Sequence, residues 1–79
     1  MIYVATFFAH IGTIRFKKFC DRQNLKAHMM PVPRTLSSSC GTCVEFEAPE
    51  DYDLHYESEE LEEVVKQING EYISIYRAD

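Results

Sequence analysis

Cys40 and Cys43 close the run Met29 to Cys43, which reads M-M-P-V-P-R-T-L-S-S-S-C-G-T-C. A cysteine attacks as its thiolate, a form that nearby cations and converging N–H donors stabilise. Arg34 supplies a permanent positive charge, Ser37, Ser38 and Ser39 supply hydroxyls and successive backbone N–H groups, and Gly41 lets the backbone approach a ligand closely. Residue types alone support two readings of Cys40. One is an activated sulfur within reach of solvent; the other is a flexible polar loop with an incidental cysteine.

C-G-T-C also has the spacing of thioredoxin-type dithiols, which makes Cys43 a candidate resolving thiol. Such motifs normally follow a strand and open a helix, whose N-terminus stabilises the thiolate. Here a strand pattern follows, so the sequence provides no such helix, and Cys43 is expected to point with Glu45 and Glu47, away from Val44 and Phe46. Zinc could draw on Cys40, Cys43, His10, His28 and His55, but the second cysteine pair of a strong zinc signal is missing, and no metal is expected. Cys20 falls on an apolar helical stripe and reads as a small core residue. The serines have no nucleophile elbow or histidine-acid partner, and no phosphate-binding glycine loop occurs.

These residues need a scaffold, and 79 residues allow one domain, 1–79, with no room for separate substrate and cofactor domains. A hydrophobic fraction of 46% against 27% charged is enough for a packed core. The net charge of −5 argues against nucleic acid as a partner, since binding it requires a basic surface. The charge is unevenly spread: residues 1–44 carry +5 and residues 45–79 carry −10, a distribution able to steer a charged protein partner. Met1–Ala9 is apolar but too short to span a bilayer and has no basic leader, so no membrane contact is expected. Three cysteines, an odd number, point to a reducing cytoplasm.

Ile2–Phe7 reads as a strand, with Ile2, Val4 and Thr6 on one face and Tyr3, Ala5 and Phe7 on the other. A helix is expected over Gly12–Gln23, a strand over Leu25–Met30 ended by Pro31 and Pro33, and a third strand around Cys43–Ala48. Pro49–Tyr56 is an acidic connection with room for a turn of helix. Leu61, Val64, Val65 and Ile68 have the spacing of a helical stripe, so a second helix is expected over Glu57–Asn69, with Glu62 and Lys66 paired one turn apart and Gly70 as its stop. Tyr72–Tyr76 reads as a last strand with Ile73 and Ile75 facing inward.

The order β-α-β-β-α-β predicts an α+β, ferredoxin-like split sandwich, an antiparallel four-stranded sheet with both helices on one face. Its open face would carry Tyr3, His28, Glu45, Tyr72 and Tyr76, a surface suited to a homodimer. The loop Pro33–Thr42 exceeds what a hairpin needs, and functional residues favour such loops.

The run M-M-P-V-P-R-T-L-S-S-S-C-G, the opening V-A-T-F with the helix after it, and the closing G-E-Y-I-S-I-Y-R resemble the selenium/sulfur (Se/S) carrier protein-like family, a small bacterial domain-of-unknown-function family. The likeness covers most of the chain. It implies that Cys40 bears sulfur or selenium, framed by Arg34, Ser37, Ser38, Ser39 and Gly41, whereas Cys43 falls outside the family pattern and Pro49–Tyr56 is longer than usual. The resulting expectation is a cofactor-free cytoplasmic thiol carrier rather than a stand-alone enzyme, holding a persulfide or selenosulfide on Cys40 between donor and acceptor proteins. A small redox protein cycling Cys40 and Cys43, and a non-catalytic protein-interaction module, remain open alternatives.

Overall fold

The computed structural model describes residues 1–50 and 52–78. The elements are β1 (Ile2–Phe7), α1 (His10–Arg22), β2 (Ala27–Pro31), β3 (Thr42–Glu47), β4 (Leu61–Ile68) and β5 (Glu71–Arg77). All strand pairs are antiparallel, in one five-stranded sheet of order β2-β3-β1-β4-β5. β1 is central and buried on both faces, as its apolar, β-branched and aromatic composition suits.

α1 packs on one side of the β2-β3-β1 half. Between them lies the main core, where Tyr3, Ala5 and Phe7 of β1 meet Val44 and Phe46 of β3 and Phe16 and Cys20 of α1. Phe16 is fully buried, with its ring centroid 5.4 Å from Phe7, 5.3 Å from Phe46 and 4.9 Å from Tyr56. Gly12 permits the close approach of α1: a Cβ there would meet Glu60 Cβ at 2.7 Å and Phe7 Cδ2 at 3.1 Å. The opposite face has a smaller core of Val4, Cys43 and Val65, covered by Met30, Val32, Leu36 and Tyr72.

The expected ferredoxin-like sandwich is overturned, because the chain has one helix and five strands. Leu61–Ile68 is not a helix but β4, paired with β1 on one edge and β5 on the other. Two features produced the helical spacing. Thr6 pairs with Glu63 and Phe7 with Leu61, so Glu62 is an extra residue in a β-bulge, and Leu61 and Val64 reach the same core although three positions apart. Val65 is buried on the other face. Asn69-Gly70, with φ of 51° and 79°, forms a hairpin turn rather than a helix stop. Lys66 approaches Glu50 at 4.0 Å, not Glu62.

The connection after β3 is irregular; Asp51 within it lies outside the described residues. Its Tyr52, Leu54 and Tyr56 pack on the main core. Ile73 and Ile75, expected inside, are 47% and 54% exposed. The supposed open face also changes. Tyr3 is buried against Phe46 on the helix side, its ring centroids 5.3 Å away, and Val32 and Leu36 fold across part of the opposite face.

Candidate functional site

The cysteine loop begins as β2 and β3 separate. Met30 pairs with Cys43 and Pro31 with Thr42, after which Val32 N–H donates to the Gly41 carbonyl at 3.1 Å and closes the neck. Gly41 has φ of 75°, a left-handed conformation that costs a side-chain-bearing residue about 1–2 kcal/mol. Leu36 N–H donates to Pro33 at 3.0 Å, forming a turn with Arg34 exposed upon it.

The serines bind the loop to the sheet. Ser38 Oγ donates to the Phe7 carbonyl at 3.1 Å, at the end of β1. Ser39 donates through its backbone N–H to Glu62 Oε1 at 3.3 Å and through Oγ to Glu62 Oε2 at 3.2 Å. Glu62 is the bulge residue of β4, and an extra residue is a common device for aiming a side chain away from the ladder. Ser37 is exposed and lines a groove of about 460 Å³ with Leu36, Glu63, Tyr72 and Arg77.

This anchoring returns the chain to the helix side at Cys40. Cys40 is half-buried, and its sulfur has polar contacts within the protein: Sγ–H donates to the Thr42 carbonyl at 3.1 Å, and Sγ lies 3.7 Å from Thr13 Oγ1. Thr13 is fully buried in the first turn of α1. No side chain caps this helix start at Ala9, so the partial positive charge of the terminus is not offset by a capping oxygen. α1, distant in sequence, brings the Thr13 hydroxyl to Cys40.

The three thiols are free and differ in environment. Cys43 points to the face of Val4 and Val65, as expected from its alternation with Val44. Burial pushes its thiol up to about 11, with the charges of Glu45 and of Cys40 acting in the same direction. Cys20 is buried beside Phe16, and burial, with the Asp21 charge, pushes its thiol up to about 12. Cys40 packs on the helix-side core whereas Cys43 belongs to the opposite one.

Arg34 has no ion pair or hydrogen bond with Cys40, and the amide of Ser39 and the hydroxyls of Ser38 and Ser39 are directed to the scaffold. Ser38 and Ser39 thus anchor the loop, and the polar groups at the sulfur are the Thr13 hydroxyl and the Thr42 carbonyl. Thr13 and Glu62 were missed in the sequence. A polar residue beside the buried Gly12 was a faint signal for Thr13; Glu62 gave none, being one of many acids in an apparent helix. His28 Nε2 is 3.6 Å from Glu45 and His55 Nε2 is 3.0 Å from Asp53. Among the described residues no group of three or more His, Cys, Asp or Glu side chains is arranged to hold a metal ion.

The family model described as "Putative Se/S carrier protein-like" matches residues 2–77. The chain belongs to that family. The match takes in every element of the sheet, α1 and the whole cysteine loop. No curated protein and no solved structure matches the chain. Among the described residues no helix is long and apolar enough to cross a membrane.

Proposed function

We propose that this member of the Se/S carrier protein-like family carries sulfur or selenium on Cys40. The observation that supports the reading is the placement of the one cysteine that is not buried, on a loop anchored at both Ser38 and Ser39, beside the hydroxyl of Thr13. A hydroxyl can turn to donate to an anion, and hydrogen bonds to charged groups contribute about 1.5–3 kcal/mol. Thr42 accepts from the protonated thiol, and Thr13 is placed to donate to the thiolate.

In the loading step the Cys40 thiolate attacks the terminal sulfur of a donor protein's persulfide. A new S–S bond forms on Cys40, the donor's S–S bond breaks, and its electron pair leaves with the donor thiolate. The terminal proton stays with the transferred sulfur, and selenium replaces that atom in the selenosulfide case. Delivery repeats the exchange with an acceptor's thiolate. Neither step needs an outside oxidant. Burial of Cys43 and its raised thiol disfavour a redox cycle between Cys40 and Cys43.

The test is incubation with a cysteine desulfurase and sulfur-labelled cysteine, followed by non-reducing separation. Label should remain on the parent and on Cys43→Ser, be released by a thiol reductant, and be lost from Cys40→Ser. Equal label on Cys40→Ser and the parent would sink the proposal.

A further inference from the structure

Glu60, Glu62 and Glu63, at and just before the start of β4, meet different partners. Glu60 pairs with Arg15 at 3.1 Å and Glu63 with Arg77 at 2.9 Å. Glu62 has no ion pair among the described residues. Both of its carboxylate oxygens accept from one residue instead, Oε1 from the Ser39 backbone N–H and Oε2 from the Ser39 hydroxyl. Glu62 is itself held: its carbonyl accepts from the Ala78 N–H at 2.9 Å, and the bulge fixes its place in β4.

Ser39 directly precedes Cys40. The chain around the sulfur is tied at three points, by Ser38 to the Phe7 carbonyl, by Ser39 to Glu62, and by the Gly41 carbonyl to the Val32 N–H. The Ser39 tie alone runs to a charged acceptor, and such bonds are roughly twice as strong as neutral ones. Thr13, on the other side of the sulfur, is fully buried in α1. The 3.7 Å contact between Thr13 and Cys40 therefore has one end set by the packing of α1 and the other by the Glu62–Ser39 clasp. No hydrogen bond joins Glu62 to Thr13; Cys40 is what connects them.

We propose that Glu62 is a positioning residue for Cys40, holding the sulfur through Ser39 where the Thr13 hydroxyl can donate to the thiolate. The inference rests on the reading of Cys40 as the reacting sulfur. As a bare charge Glu62 would do the opposite, because a nearby carboxylate disfavours a thiolate. Clasp and charge thus act with opposite signs, and removing Glu62 tells them apart.

The test is the rate of Cys40 alkylation by iodoacetamide, an uncharged reagent, followed on the full chain by peptide mapping. Thr13→Val and Glu62→Ala should each slow it by about tenfold. The double variant should be no slower than either, since without the clasp the hydroxyl no longer meets the sulfur. Glu62→Gln keeps an acceptor for the Ser39 N–H and lacks the charge, so it should stay near the parent rate. Faster alkylation in Glu62→Ala, equal slowing in Glu62→Gln, a parent indifferent to Thr13→Val, or effects that multiply in the double variant would overturn the inference. Should Glu62→Ala lose its native circular dichroism, Ser39→Ala replaces it, giving up the hydroxyl bond alone. It should slow alkylation and shrink the effect of Thr13→Val, and a parent rate there would overturn the inference equally. Sulfur loading of the parent is measured alongside. These ratios without label on Cys40 would count against the carrier reading alone, and label on Cys40 with Glu62→Ala alkylating at the parent rate against the positioning role alone.

Discussion

Thr13 and Cys40 form the smallest unit of the proposed chemistry, a hydroxyl 3.7 Å from a sulfur. Thr13→Val preserves shape and removes the donor, whereas Thr13→Ser retains it. Since each 1.4 kcal/mol is a factor of ten, loss of a hydrogen bond to the thiolate should slow alkylation and sulfur loading of Cys40 by about tenfold. Thr13→Ser should stay near the parent rate; equal slowing in both variants would show that packing, not hydrogen bonding, is responsible. The buried thiols yield a separate expectation. The folded state holds Cys43 and Cys20 neutral to about 11 and about 12, against an ordinary value of 9.0. Above pH 9.0 the unfolded chain gains from ionising these thiols while the folded chain does not. Their contribution is therefore fully present below pH 9.0 and declines as pH rises through the folded values. The urea midpoint should fall over that interval, and Cys43→Ala should fall less steeply than the parent.

Among the elements, β4 and β5 depend on the turn between them. Gly70 has φ of 79°, and a Cβ placed there would meet nothing within 4 Å, so Gly70→Ala isolates backbone strain. It should destabilise the fold by about 1–2 kcal/mol in urea titration, and Gly70→Asn should recover part of the loss because asparagine tolerates this region. That turn also explains how the sequence was misread. Ile2–Phe7, the helix, the third strand and the direction of Cys43 were legible because each has one uninterrupted period. From Leu61 to Ile68 the bulge at Glu62 converts a period of two into an apparent helical stripe, and Val64 and Val65 are buried on opposite faces. Asn69-Gly70 between β-branched runs was the stronger signal and favoured a hairpin. In the site, the cysteine loop was visible from its composition. Thr13 was not, because it meets Cys40 only once α1 has folded back across the sheet.

At the scale of the molecule, one aromatic cluster joins these parts. Phe16 of α1 touches Phe7 at the end of β1, Phe46 of β3 and Tyr56 of the connection. Phe16→Ala should cost about 3–5 kcal/mol, a large fraction of a small domain's stability, measurable as a fall in the urea midpoint. It should also loosen the Thr13–Cys40 contact, since Phe16 holds α1 against the sheet that carries the loop. The central claim is that the Cys40 sulfur bears the transferred atom. Its most direct test is non-reducing intact mass and peptide mapping after exposure of the native protein to a persulfide or selenium donor. One added sulfur or selenium atom is expected on the peptide containing Cys40, removed by a thiol reductant. No added atom, or an adduct on Cys20 or Cys43 with Cys40 unmodified, would contradict it.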